Sequence, residues 1–357
     1  MLTLKEHLNL GKLAKAAIFY LVLIMLFFIV VEGLSSVTMF IIGIFTRHEA
    51  REAKHAQYDE LLGWVNKPNV YIKDLYGPNV YLRTNSQGFR SNTDFTANIP
   101  QGKIRIICTG DSFTLGYGVD NDNAWCQLLS ANDERLETVN MGQGGYGIDQ
   151  AYLWYMRDGR KLEHDIHIFA FIDDDFRRAT SSKFWNYQKP VFKLKGDTLI
   201  IDNVPVPRYQ FETPVLTRIA TNWRNFQMFQ LLGRMRERSK VQLIPYKGFD
   251  EPIRNIALKI FEALHQAHKE KGSTLVVLYL PTDYDYSHEV PWRKFLSDEF
   301  KKRDIIFIDM TPEFVKQPMN LMFKVHYSEY GNKYLADALY KKLTAIPEIR
   351  NKLSKVR

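Results

Sequence analysis

The chain has 357 residues, 25% of them charged, with 48 Lys plus Arg against 40 Asp plus Glu, a formal charge of +8. That length suits one large domain with accessories, and the ordinary charged fraction excludes a disordered chain. The positive excess is dispersed, which excludes a nucleic-acid footprint and favours an acidic partner or membrane surface. Two cysteines, Cys108 and Cys126, exclude a disulfide framework, and no Cys/His spacing suits a metal.

In chain order, residues 1–15 are polar, with Lys5, Lys12 and Lys15, and Ala16 to Phe45 is almost wholly apolar, broken near the middle by Glu32-Gly33. A spanning helix needs about 20 apolar residues. The stretch exceeds a signal-peptide core and shows no small-residue cleavage site. Residues 1–46 are therefore expected to be a cytoplasmic segment and one uncleaved, tilted transmembrane helix. Glu32 is costly in lipid, so it should sit near a headgroup or face a partner helix, which would make a membrane protein a partner on that side. Lys5, Lys12 and Lys15 are nearly balanced by Arg47, Arg51 and Lys54 across the span, and the N-terminus is expected in the cytoplasm.

Residues 47–100 read as a lead-in: a stalk helix over 47–64, then a hairpin of Asn69–Ile72 and Asn79–Leu82 across a Gly-Pro turn. Strands are expected at 103–109, 136–141, 166–172, 274–280 and 304–309. Helices are expected near 123–131, 148–159, 253–271, 291–302 and 329–343. Strands separated by helices imply a parallel sheet with helices on both faces, an α/β three-layer sandwich over 101–347, followed by a tail at 348–357. An insertion at about 180–250 carries a hairpin around Gly196-Asp197 and a helix over 215–238, and reads as a cap beside the sheet edge.

Ile104, Ile106 and Ile107 form a β-branched run that ends at Gly110, so Ser112 should lie just past the carboxyl end of a strand, where open α/β sheets bind ligands. A serine there becomes a nucleophile if a base reaches it. His326, in the loop after the last strand, is placed to be that base. Gly142-x-Gly144-x-x-Gly147 formally matches a dinucleotide fingerprint, yet the strand before it ends in polar Asn140 and it is not in the first βα turn. Alternatively this loop crosses beside Ser112 and offers the Gly145 N–H to an oxyanion. No metal or cofactor is expected.

Gly110-Asp111-Ser112, Asn140-x-Gly142-x-x-Gly145 and the late His326 resemble the SGNH, or GDSL-type, hydrolase superfamily. Gly116-x-Gly118-Val119, Trp125 and Asn85-Ser86-x-Gly88-Phe89-Arg90 look like its membrane-anchored bacterial members. The resemblance implies an α/β/α flavodoxin-like sandwich and hydrolysis or transfer of ester-linked acyl groups. Ser112 would be the nucleophile, His326 the general base, and the N–H groups of Ser112 and Gly145 oxyanion donors. It further implies a domain outside the bacterial inner membrane, facing the periplasm or cell exterior. The implied substrate is an O-acylated cell-surface glycan or glycolipid, which Trp185, Tyr187, Tyr209 and Trp223 would stack on. Two positions depart from the family. Asp174 stands where the family has an oxyanion-donating asparagine, and Phe323 and Lys324 stand where it has an aspartate before the histidine. An ionised carboxylate cannot donate a hydrogen bond. Asp174 is thus either a repulsive neighbour of the oxyanion or a substitute acid that orients His326, and an inactive glycan-binding or assembly protein is the alternative function.

Overall fold

The computed structural model of the chain describes residues 4–46, 54–184, 187–207, 227–228, 231–232 and 250–356. Residues 1–50 and 210–246 form one unit, and residues 51–209 and 247–357 a larger one.

The smaller unit holds α1 (Leu4–Thr46). Its Lys12–Met39 stretch is long and apolar enough to cross a membrane. The two carboxylate oxygens of Glu32 accept the backbone N–H groups of Gln227 and Met228, at 2.6 and 2.9 Å.

The larger unit begins with two short antiparallel pairs, β1 (Ala56–Asp59) with β2 (Gly63–Asn66) and β3 (Tyr71–Ile72) with β4 (Leu82–Arg83). Then follow β5 (Ile104–Gly110), α2 (Ser112–Leu115), α3 (Trp125–Ala131), β6 (Leu136–Gly142), α4 (Ile148–Arg157), β7 (Ile166–Phe171) and α5 (Asp174–Ala179). The insertion adds β8 (Lys183–Phe184), β9 (Tyr187–Gln188), β10 (Val191–Lys195) and β11 (Thr198–Asp202). The chain closes with α6 (Glu251–Lys271), β12 (Thr274–Tyr279), α7 (Pro291–Lys302), β13 (Ile306–Asp309), α8 (Thr311–Phe314), α9 (Met319–Met322), α10 (Glu329–Ala345) and α11 (Pro347–Lys355).

The main sheet has the order β13-β12-β7-β5-β6, every neighbouring pair parallel. The strand order reverses beside β5, the first strand of this sheet. A parallel sheet is covered on both faces, and all seven residues of β5 are buried. On one face Ile104, Ile106 and Cys108 pack with Trp125 and Leu129 of α3 and Leu335 and Leu339 of α10. On the other, Phe169 and Phe171 meet Phe261 of α6, which meets Phe300 of α7. The result is the expected α/β/α sandwich.

Three expectations are corrected. Of the expected stalk helix over 47–64, residues 47–53 lie outside the described residues and Lys54 and His55 are helical, but from Ala56 onward β1 and β2 form a hairpin instead. The Asp59 carboxylate accepts the N–H groups of Leu61 and Leu62 and turns the chain. Trp64 is then buried against Tyr146 and Phe184, residues distant in sequence that no local propensity anticipates. The tail at 348–357 is largely α11, whose Ile349 and Leu353 are buried against the core. The insertion is not one cap over 180–250: it divides near residue 210, and its later part groups with the N-terminal segment. Its first part is held by a fully buried ion pair of Lys189 with Asp149. The expected 215–238 helix lies outside the described residues except for Gln227, Met228, Leu231 and Leu232, which are helical.

On the α6 face a chain of hydrogen bonds runs from Thr109 Oγ1 to His167 (2.8 Å), His167 to His268 (2.9 Å) and His268 to Ser273 Oγ (2.7 Å). Burial holds His167 well below the usual imidazole range and His268 at about 3, with neighbouring histidines adding to the effect. An unfolded histidine titrates near 6.5, so on acidification the unfolded chain binds these protons first. Their stabilisation is complete above about 6.5 and is lost as pH falls towards the folded values. The urea midpoint of the full chain should therefore depend less on pH between 7 and 5 in His268→Gln than in the parent. Equal dependence in the two would contradict this.

Candidate active site

β5 ends at Gly110, where φ is +158° and a Cβ would lie 2.3 Å from Thr114 Oγ1 and 2.6 Å from the Ala170 carbonyl. Glycine is required for that approach. The Asp111 carboxylate then accepts the Phe113 N–H at 2.9 Å and caps the single turn α2, which starts at Ser112 and closes at Gly116. Ser112 thus stands at the carboxyl edge of the sheet, beside the strand-order reversal, where doubly wound sheets bind ligands. Behind it, the fully buried Arg90 donates to the carbonyls of Leu115, Gly116 and Val119 and to Asn121 Oδ1, fixing the turn that bears Tyr117.

His326 arrives from the loop between α9 and α10. Its carbonyl accepts the Lys324 N–H at 2.9 Å, and the Ser328 hydroxyl, two residues on, caps α10. The imidazole sits between the rings of Phe113 and Tyr117, with centroids 4.5 Å away on each side. Ser112 Oγ lies 2.8 Å from His326 Nε2. His326 Nδ1 is buried with no hydrogen-bond partner among the described residues. Burial, and secondarily the positive charge of Arg178, push the histidine down to about 4. The ring is therefore neutral at pH 7. With its proton on Nδ1, it presents a lone pair to the serine hydroxyl.

Asp174 does not orient that histidine. Its Oδ1 accepts from Arg177 (2.5 Å) and its Oδ2 from Arg178 (2.9 Å). Burial raises the Asp174 carboxyl, but the two guanidiniums outweigh it and hold the group below its ordinary value. Arg178 also donates to Asp111 (3.2 Å), Asp175 (2.8 Å) and the Tyr146 carbonyl (3.0 Å). Burial and the neighbouring Asp111 raise Asp175 well above the carboxylate range, while Arg178 opposes the rise. Sequence reasoning passed over Arg178. The available signal was its position three and four residues after Asp175 and Asp174, the acid-to-base spacing of one helix face.

The glycine loop reaches the same edge. Gly142 lies against α2, where a Cβ would come 2.0 Å from Leu115 N, and Gly145 has φ +75° with its Cβ position 2.3 Å from the Phe184 ring. The Gly142 N–H is bonded by Asn140 Oδ1 and the Gly144 N–H by Gln143 Oε1, so neither is available to cradle a phosphate. Among the described residues, the N–H groups of Ser112 and Gly145 donate to no other group. Tyr187 packs on Trp64 with centroids 5.7 Å apart, while Trp185, Tyr209 and Trp223 lie outside the described residues.

No family model and no curated protein matches the chain. Solved structures do. A member of the lipolytic protein G-D-S-L family from Veillonella parvula is 14% identical, with a TM-score of 0.39, over 68% of this chain and 100% of its own. The lipase/acylhydrolase from Enterococcus faecalis is 13% identical, with a TM-score of 0.38, over 68% of this chain and 96% of its own. An acetyl xylan esterase is 14% identical, with a TM-score of 0.39, over 67% of this chain and 100% of its own.

Removing one partner from a buried charge network costs about 3–5 kcal/mol. Arg178→Met takes the guanidinium from the buried Asp111 and Asp175, and urea unfolding should show a loss of about that size. A loss below about 1 kcal/mol, the worth of an exposed pair, would contradict the role given to Arg178.

Proposed function

We propose that the chain is a membrane-anchored SGNH-type serine esterase or acyltransferase that acts on O-acyl groups of a cell-surface glycan or glycolipid. The observation that carries this reading is the 2.8 Å hydrogen bond between Ser112 Oγ and His326 Nε2 at the carboxyl edge of the sheet. His326 takes the hydroxyl proton as Ser112 Oγ attacks the ester carbonyl. The tetrahedral oxyanion is met by the N–H groups of Ser112 and Gly145. His326 then gives the proton to the leaving alkoxide, and water or an acceptor hydroxyl releases the acyl group by the reverse sequence. The site works as a dyad, since Phe323 and Lys324 bring no carboxylate to His326 Nδ1.

The Lys12–Met39 stretch supports anchoring, while the orientation, with the N-terminus in the cytoplasm and the catalytic domain in the periplasm or outside the cell, rests on the family resemblance. The glycan assignment rests on the family resemblance. A second reading, an inactive glycan-binding or assembly protein of the same fold, is favoured by the unpartnered His326 Nδ1.

Short-chain aryl esters test the reading. The parent should hydrolyse them, and Ser112→Ala should reduce the rate to background. Because His326 must be neutral to act as base and sits at about 4, kcat/KM should hold through pH 6 and fall as pH drops through about 4. An acid limb near the ordinary histidine value would contradict the buried dyad. Asp174→Asn should not raise turnover, because the carboxylate is turned to Arg177 and Arg178. A rise would show that it faces the oxyanion.

A further inference from the structure

A carboxylate in hydrocarbon is costly unless its oxygens are hydrogen-bonded, and a backbone N–H there must equally find an acceptor. Glu32 and residues 227–228 satisfy one another. Oε1 accepts from Gln227 N at 2.6 Å and Oε2 from Met228 N at 2.9 Å. Glu32 lies within the apolar Lys12–Met39 window, about 10 Å of helix from its end. Burial along α1 agrees. Nearly all of the window is exposed, yet Phe28, Val31, Glu32, Ser35 and Met39 are covered, the spacing of one helix stripe. Ser35 is 6% exposed while Leu34 beside it is 64% exposed. On the facing segment, Leu232 is 54% exposed. The surrounding sequence combines Arg218, Arg224, Arg234 and Arg236 with Trp223 and Phe226, the composition of a segment at a membrane interface.

We infer that Gln227, Met228, Leu231 and Leu232 enter the membrane layer and dock on the spanning helix through Glu32. The inference rests on the proposed membrane anchoring. It gives the insertion a second function as a membrane-associating element, and it favours a membrane-borne glycolipid over a free polymer as substrate. The partner that Glu32 requires is then a segment of this same chain.

The test uses the full chain in lipid nanodiscs with doxyl-labelled lipid as quencher. Cys108 and Cys126 are buried, so a thiol-reactive fluorophore reports on one introduced cysteine. The three sites are Leu232→Cys, Ile24→Cys within the span and Lys355→Cys in α11. Quenching at Leu232 should be at least half that at Ile24 and well above that at Lys355. Glu32→Ala should cut the Leu232 signal by at least half and leave that at Ile24 unchanged. Quenching at Leu232 equal to that at Lys355, with Ile24 quenched, overturns the inference and leaves the anchor intact. An unquenched Ile24 overturns both. A Leu232 signal indifferent to Glu32→Ala overturns the docking.

Discussion

The site depends on the reversal of strand order beside β5. Chain connections leave β5 to one side for β6 and β7 lies on the other, so the carboxyl end of β5 opens onto a crevice. Gly110 brings the chain out of the strand at that point, and the one-turn α2 fixes Ser112 there. Because the sheet is parallel, the segments leaving β6, β7 and β13 emerge at the same edge. Gly145, Arg178 and His326 therefore converge on a serine from which they are far apart in sequence. The Ser112–His326 hydrogen bond is a consequence of sheet topology, made rigid by the aromatic walls of Phe113 and Tyr117 and by Arg90 behind them.

Three carboxylates, Asp111, Asp174 and Asp175, surround one nearly buried guanidinium, that of Arg178. Left alone, such a cluster would oppose an oxyanion. Arg178 in its centre and Arg177 on Asp174 offset the cluster, while burial, and secondarily Arg178, lowers His326. A histidine held neutral by burial needs no carboxylate to remain a proton acceptor at neutral pH, although it gains no electrostatic help once protonated.

Much of this was legible in the chain itself. The β-branched runs at Ile104–Ile107 and Ile166–Ile168, each followed by a helical pattern, dictate a parallel sheet, and the abrupt stop at Gly110 marks Ser112. The missing acid was equally visible at Phe323 and Lys324. What local pattern could not supply was side-chain direction. Asp174 has the same letter whether it faces an oxyanion, a histidine or an arginine, and its contact with Arg178 decides among them. The hairpin of β1 and β2 was hidden because the helix-favouring pattern running through Ala56 and Gln57 is overridden there by the Asp59 turn and by the burial of Trp64, whose indole N–H donates to Gly144 O at 2.9 Å. The buried pair of His167 and His268 was unreadable for the same reason, since its members lie 101 residues apart.

The central claim is that Ser112 is an activated nucleophile. It is tested most directly by incubating the full-length protein with a fluorophosphonate and locating the adduct by peptide mass spectrometry. The account predicts a single phosphonylated residue, Ser112, and no adduct in Ser112→Ala. An unmodified Ser112 in folded protein, or an adduct on a different residue that persists in Ser112→Ala, would contradict it.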